Sequence, residues 1–384
     1  MATDYDVLVA GGGPAGSACA IAARLAGLRV ALCDDSDEQL WKVGESLPGA
    51  VLRTLRRLQL AGPEQLLHPG ERERCTANVS AWGGEQWAYQ DALANPEGGG
   101  WHVLRHRFDS ALRRHATRLG VEHIDGRLSA SRSSEDSRSG VVARLRGAEG
   151  AQLTARFLVD ATGRRALLAR QLGVRRRRLS RQSAIVGWLR HPVSDVERAT
   201  RSRSVQDGWW YTARLPQGTR VIAFHGLPGT IATLVKSPAL FVERCNRAEL
   251  LPYVLTPGDW LLPPRTSDAS VLTVQRVAGP GWLAVGDAAL AFDPLSSQGV
   301  LFALYSGIRA AEAIASCLAQ PEHGDRSLDE YAVRVRSVLR ANQRTRQLLY
   351  SSELRYPSSE YWQRQRESCA HRDGEWPELS SPRR

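Results

Sequence analysis

Gly11, Gly13 and Gly16 follow an apolar run, Tyr5 to Ala10, and precede a small-residue helical pattern from Ser17 to Ala26. This is the G-x-G-x-x-G spacing of a dinucleotide-binding turn. Gly11 permits the tight turn, Gly13 leaves space for a pyrophosphate against the backbone, and Gly16 lets helix and strand approach closely. Pro14 and Ala15 lie inside the turn, where the helix N-terminus offers N–H groups and a positive dipole end. A second apolar run, Arg29 to Cys33, ends in Asp34, where a carboxylate can bind a ribose hydroxyl. Glycines alone say little, but strand, turn, helix, strand and acid in register point to a bound dinucleotide.

The same logic returns twice. Phe157 to Val159 runs into Asp160 and the turn at Gly163, and Trp282 to Val285 runs into Gly286 and Asp287. The second is followed by Pro294, Ser297, Gln298, Gly299 and Val300, a glycine-containing turn that opens a helix over Leu301 to Leu318. Between these landmarks lie Gly44-Glu45-Ser46 and the aromatic segment Gly208-Trp209-Trp210-Tyr211. His102, His106 and His225 stand in no convincing catalytic context and are minor candidates only. The six cysteines are scattered without C-x-x-C pairs, so neither a zinc site nor a disulfide framework is indicated.

The elements that must position these residues follow from periodicity. Ser46 reads as the cap of a helix running to about Leu60, with Val51, Leu52, Leu55 and Leu58 on one face. Thr76 to Tyr89 reads as a hairpin, Val103-Leu104 as a short strand, Phe108 to Leu119 as an amphipathic helix, and Val121 to Ile124 as a strand. Arg127 to Phe157 reads as a meander with a polar, mobile tip at Ser129 to Gly140. Ser183 to Leu189, Trp209 to Leu215 and Arg220 to Phe224 read as strands of a second sheet, and Thr230 to Leu250 as partly helical. Val271 to Val277 reads as a further strand, and Leu328 to Tyr350 as the last helix, before a polar tail holding Trp362 and Trp376. With two tryptophans, that tail is expected to pack back or to order on a partner.

The chain has 384 residues, a formal net charge of +11 and only two lysines, Lys42 and Lys236, so arginine carries the excess. The arginines are spread along the chain apart from Arg175 to Arg178, and no nucleic-acid-binding motif accompanies them. Nucleic acid is therefore not expected as a partner, while an acidic protein is compatible with the charge. No apolar run reaches the ~20 residues of a membrane span, and no signal-like segment opens the chain. The expected location is cytoplasmic, with no membrane partner.

Taken together, Gly11-x-Gly13-x-x-Gly16, Asp160-Ala161-Thr162-Gly163 and Gly286-Asp287 resemble the FAD-dependent monooxygenases with the glutathione-reductase-type FAD fold. Gly44-Glu45-Ser46, Arg105 with Arg107-Phe108-Asp109, and Asp293 to Gly299 resemble the branch that contains flavin-dependent halogenases. Within it, Gly208 to Tyr211 and the Ser296-Ser297-Gln298 form of the last loop resemble flavoproteins that hydroxylate a peptidyl tryptophan during quinone-cofactor maturation.

The resemblance implies an α/β fold: a Rossmann-like FAD-binding domain, an inserted β-sheet substrate domain and C-terminal helices. The FAD domain is expected in three parts, 1–74, 101–180 and 278–320, with a substrate-domain hairpin at 75–100, the substrate sheet at 181–277, and a helix and tail at 321–384. Asp34 would hold the adenosine ribose, Arg105 would support the FAD, and Asp287 would bind its ribityl or pyrophosphate region. The Pro294 to Gly299 loop would face the flavin pyrimidine edge, where a helix N-terminus stabilises reduced flavin. Glu45 would position a loop or handle a proton, and Trp209 and Tyr211 would meet the substrate.

Halogenases of this branch use a lysine after Gly-Glu-Ser, and none lies between Lys42 and Lys236 here. Arginine does not replace a neutral amine. The resemblance therefore implies oxygenation of an electron-rich aromatic, free or in a protein or peptide, through a flavin C4a-hydroperoxide. Halogenation and a geranylgeranyl-reductase-like reaction are the alternatives. The single glycine fingerprint implies electrons from visiting NAD(P)H or from an external reductase. For a protein substrate, residues 183–226, with the aromatic segment Trp209 to Tyr211, would leave the flavin's reacting face open to a wide groove with a basic rim.

Overall fold

The computed structural model describes residues 3–35, 41–131, 141–146 and 152–369. Trp376 and most of the Ser129 to Gly140 tip lie outside these residues. Tyr5–Ala10 is a buried strand with the parallel strands Val30–Asp34 and Gln152–Asp160 on its two sides. Glu122–Asp125 extends the sheet beyond Val30–Asp34, and Trp282–Ala284 extends it beyond Gln152–Asp160. Strands buried on both faces read as continuous apolar runs, which is why residues 7–10, 30–33 and 157–159 are free of polar residues, whereas the edge strand Glu122–Asp125 is polar and largely exposed. The fold is the α/β, Rossmann-like arrangement the glycine turn implies.

Two helices cover one another on this sheet, Pro14–Leu25 and Gly299–Ala319. Small residues let them approach: a Cβ on Gly307 would clash with the Ala15 carbonyl oxygen and lie 2.9 Å from the Cys19 amide nitrogen. Gly299–Ala319 is long and apolar enough to cross a membrane by length and composition, but most of that apolar surface is buried inside the protein. Its composition is that of a core helix.

The second sheet has the strand order Trp260–Asp268, Ser183–Arg190, Thr219–Gly226, Gly208–Leu215, Thr200–Val205, Ala77–Ala81 and Ala88–Asp91. The early hairpin thus joins the later strands in one sheet, with Ala77–Ala81 parallel to Thr200–Val205. One face is covered by Pro228–Lys236 and Pro238–Arg247, where Trp210, Phe224 and Phe241 pack together. The other face carries Ala184, Val186, Trp188, Tyr211, Val221 and Ala223. Strand alternation makes this division, since neighbouring residues point to opposite faces.

Two local readings change, one strand was not anticipated, and the tail takes one of its two expected courses. Ser46 does not cap a helix: Ser46–Leu47 is a short strand paired to Trp101–Val103, and the helix is only Val51–Arg56. The serine is drawn away by a hydrogen-bond partner outside its own segment, the Tyr211 hydroxyl at 2.8 Å. Trp260–Asp268 is a long strand that its two prolines hide, and it tolerates them at a sheet edge. The expected strand Val271 to Val277 shrinks to Leu272–Val274, because residues on either side leave the ladder. The tail after Ser351 packs back as Glu360–Cys369, burying Tyr361 and Trp362 against Trp209 and Tyr350.

The close helix crossing yields a test. Gly307→Val should force apart the two helices that flank the glycine turn and destabilise the protein by about 3 kcal/mol. Urea unfolding followed by circular dichroism measures this, and an unchanged midpoint would contradict the contact.

Candidate active site

A cavity of about 570 Å³ runs from the glycine turn to the inner face of the second sheet. Gly11, Gly13, Pro14, Ala15 and Asp34 line its one end, and Trp209, Tyr211, Val221, Ala223 and His225 the other. Glu45, Ser46, Arg105, Gly163, Asp287, Pro294, Ser297, Gln298, Gly299 and Val300 line the stretch between. Gly16, Asp160 and Gly286 are absent from the lining. A Cβ on Gly16 would run into the Gly11 carbonyl, so this glycine serves packing. Asp160 is buried beneath the turn, accepting hydrogen bonds from the Thr162 amide at 3.0 Å and the Ala169 amide at 2.8 Å. Gly286 adopts φ +55°, and a Cβ there would sit 2.7 Å from that of Ala15.

Backbone groups add to the cavity's polar side chains. Pro14–Leu25 begins at Gly13 and Gly299–Ala319 begins at Gln298, and neither N-terminus has a side-chain cap. The free N–H groups of both first turns therefore face the cavity, each at the positive end of a helix dipole. A Cβ on Gly13 would meet no atom within 4 Å, so the space beside it is open, whereas one on Gly11 would sit 2.5 Å from the Ala161 oxygen. Gly12, outside the fingerprint, is confined as well: its Cβ would lie 2.6 Å from Arg113 Cδ. Arg113 also pairs with Asp34 at 3.3 Å and donates to the Gly12 carbonyl at 3.1 Å, a brace that the glycine spacing does not announce.

The loop from Trp41 to Leu47 joins the two halves. Arg105 donates to the Val43 and Gly44 carbonyls at 2.7 and 3.1 Å and pairs with Asp109 at 3.2 Å. Lys42 reaches the same Asp109 at 2.6 Å. Despite its burial, Asp109 is held below the usual carboxylate range by these two cations. On the far side, Trp188 Nε1 donates to Glu45 at 2.9 Å. Glu45 is 3% exposed, and desolvation pushes its carboxyl upward against that hydrogen bond. Burial also raises Asp287, opposed by the charges of Arg164, Arg105 and Lys42.

The last loop is anchored from the C-terminus. Asp293 accepts from the Leu295 amide at 3.1 Å, from Arg346 Nε at 3.1 Å and from the Tyr350 hydroxyl at 2.9 Å. Arg346 is held in turn by Gln343 at 2.9 Å and by Gln365 at 3.3 Å. Ser297 takes a left-handed conformation, φ +49°, just before the helix opens. Asp293 and Arg346 were not among the expected site residues. No pattern in the sequence links positions 53 residues apart on a loop and a helix.

Trp209 and Trp210 are each 1% exposed, so they form no aromatic rim open to a partner. Trp210 belongs to the helix-covered core, and Trp209 stacks on His225 with ring centroids 3.8 Å apart. Arg176–Arg178 is exposed, and Arg178 pairs with Asp268 at 3.1 Å. No group of three or more metal-ligating side chains occurs among the described residues.

Comparison with known proteins agrees with this geometry. Residues 6–41 match the family model described as FAD binding domain, and residues 88–224 match that of the tryptophan halogenases. The chain is an FAD-dependent enzyme of the oxidoreductase class. It is 27% identical to a tryptophan 2-halogenase of Chondromyces crocatus over 82% of its length, and covers 61% of that relative. The fold matches the flavin-dependent halogenase CmlS with a TM-score of 0.83 at 22% identity, covering 95% of this chain and 68% of the other. It also matches the peptidyl tryptophan dihydroxylase QhpG, essential for tryptophylquinone cofactor biogenesis, with a TM-score of 0.76 at 26% identity, covering 94% and 78%.

The residues present fit FAD. The open space at Gly13 and two uncapped helix ends suit a pyrophosphate and the electron-accepting end of a flavin. Two measurements follow. Gly13→Val should fold with an unchanged unfolding midpoint yet be purified without yellow colour, because its branches fill the open space; full FAD occupancy would contradict this assignment. His102, fully buried beside Ser46, is pushed down to about 4, by desolvation first and by Arg220 second. The unfolded chain therefore takes up a proton that the folded state refuses between pH 6.5 and 4, and stability falls as pH falls through that window. His102→Gln should remove about 2 kcal/mol of the loss between pH 6.5 and 5, read from urea midpoints against the parent protein.

Proposed function

We propose that the chain hydroxylates an electron-rich aromatic ring. The observation that carries this reading is the cavity's far end. It is floored by Ala184, Val186, Val221 and Ala223, flanked by Trp209 and Tyr211, and continuous with the dinucleotide cradle. An apolar floor of small residues suits a flat aromatic ring. Neither lysine of the chain is free to work there. Lys42 lines the cavity but is tied to Asp109 at 2.6 Å, and Lys236 lies exposed at the end of Pro228–Lys236, a helix on the sheet's other face. This absence favours oxygenation over halogenation.

Reduced FAD, when bound, supplies the activated oxygen. The overall change is balanced as ring C–H, O2, two electrons and two protons giving ring C–OH and water. NAD(P)H or a separate reductase supplies the electrons from outside the chain. Gly11 to Ala15 and Asp34 hold the adenine–pyrophosphate half, and Ser297 to Val300 hold the flavin end. The sheet face orients the ring and excludes water, which protects the reactive oxygen from side reactions. Glu45, whose buried carboxyl keeps its proton more readily than usual, is placed to deliver a proton between flavin and sheet. The likeness to a peptidyl tryptophan dihydroxylase extends the proposal to an indole ring carried by a peptide or protein.

The second reading is halogenation, favoured by the family model over residues 88–224 and by the tryptophan 2-halogenase relative. The two separate cleanly. With a flavin reductase, NADH and a panel of indoles and phenols, turnover under 18O2 should add one labelled oxygen to the ring, with no dependence on bromide or chloride. A brominated product would establish the second reading instead.

A further inference from the structure

His225 is a buried polar side chain that the scheme above leaves without a task. It is 4% exposed, and its Nδ1 has no hydrogen-bond partner among the described residues. Strand pairing sets it opposite both Ala184 and Trp209. All three therefore share the cavity face, and all three line the cavity. Stacking on Trp209, with the two rings 8° from parallel, fixes the plane of the imidazole. Nδ1 is shut inside the protein, which leaves Nε2 as the nitrogen that a ligand can reach.

A buried ring nitrogen left unsatisfied costs stability, so its retention here calls for a reason. Burial keeps the imidazole neutral, with its acid–base midpoint pushed down to about 4 against the opposing pull of Asp293 and of the Trp209 backbone. A neutral imidazole retains one bare nitrogen and can accept a hydrogen bond. The ring that the sheet face would hold must be electron-rich, and electron release into such a ring comes from an attached nitrogen or hydroxyl. The atom that activates the ring thus also carries the hydrogen that an acceptor would bind.

We propose that His225 Nε2 accepts a hydrogen bond from the ring N–H or O–H of the aromatic substrate, and so sets which ring edge lies under the flavin. The substrate class is then an indole, pyrrole or phenol, and not a donorless arene. This rests on the hydroxylase reading and deepens it. His225 positions the ring and leaves oxygen transfer to the flavin. A site built around a hydrogen bond discriminates strongly against analogues that lack the donor, because the buried group is then left unpaired.

The test needs no turnover. Oxidised, FAD-loaded protein is titrated with indole against 1-methylindole, and with phenol against anisole, following the change in flavin absorbance. Indole and phenol should bind about tenfold more tightly than their methylated partners. His225→Phe, which preserves the stack on Trp209, should bring both ratios to about one, and His225→Gln, which restores an acceptor, should recover part of each. Equal binding within both pairs in the parent protein would overturn the role of His225 while leaving an aromatic site in place, and so would intact discrimination in His225→Phe. If no probe perturbs the flavin, the aromatic-substrate reading falls with it. The parent-protein ratios decide the matter even if a variant does not fold.

Discussion

Asp293 and Arg346 form an ion pair that is almost wholly buried, and much of the site's geometry depends on it. Asp293 opens the turn before the flavin-end helix, and Arg346 comes from the long helix Gly324–Ser352. A pair like this adds little net stability compared with apolar residues of the same shape. Once built, however, breaking it strands a charge in low dielectric at about 3–5 kcal/mol. The loop is thus held in one conformation by a penalty against every other. Gln343, Gln365 and Tyr350 complete the hydrogen bonds around the pair, which is why the segment after Ser351 is folded and buried instead of trailing. The C-terminal helices thus hold the cavity's last loop in place although they do not line the cavity.

A second constraint is the Trp41 to Leu47 loop. Its residues bond to the helix Arg105–Arg118 on one side and to the second sheet on the other. The loop shares this task with Arg164 and Arg178, which both reach Asp268 of the second sheet, and together these contacts help to set the height of the cavity between cradle and floor. Glu45 illustrates how position and chemistry are linked. The hydrogen bond from Trp188 that fixes the loop is also one of the interactions opposing the desolvation of its carboxyl.

The dinucleotide half was legible because its chemistry is carried by spacing within short segments. Strand, glycines, helix and terminal acid occupy about thirty consecutive residues, and each obeys local rules. The second sheet was legible as strands but not as an order, since pairing Ala77–Ala81 with Thr200–Val205 joins segments far apart in the chain. Ser46 was misread because its local context resembles a cap while its actual partner, Tyr211, is distant in sequence. Asp293, Arg346 and Arg113 went unnoticed for the same reason, and Trp260–Asp268 because prolines are usually evidence against a strand. Trp209 and Trp210 were legible as strand residues but not as to which face each takes: Trp209 lines the cavity and Trp210 joins the helix-covered core, and both are buried.

That alternation also limits how the protein can change its substrate. Along Gly208–Leu215 and Thr219–Gly226, cavity positions and core positions are interleaved one by one. Pocket shape can be varied at 184, 186, 221 and 223 by substitution, with the helix-covered core left intact. An insertion or deletion of a single residue in any of these strands would exchange the two sets wholesale, sending Trp210 toward the flavin and the floor residues into the helices. Diversification of this site is therefore confined to point changes at every second position, and length changes are tolerated only in the turns.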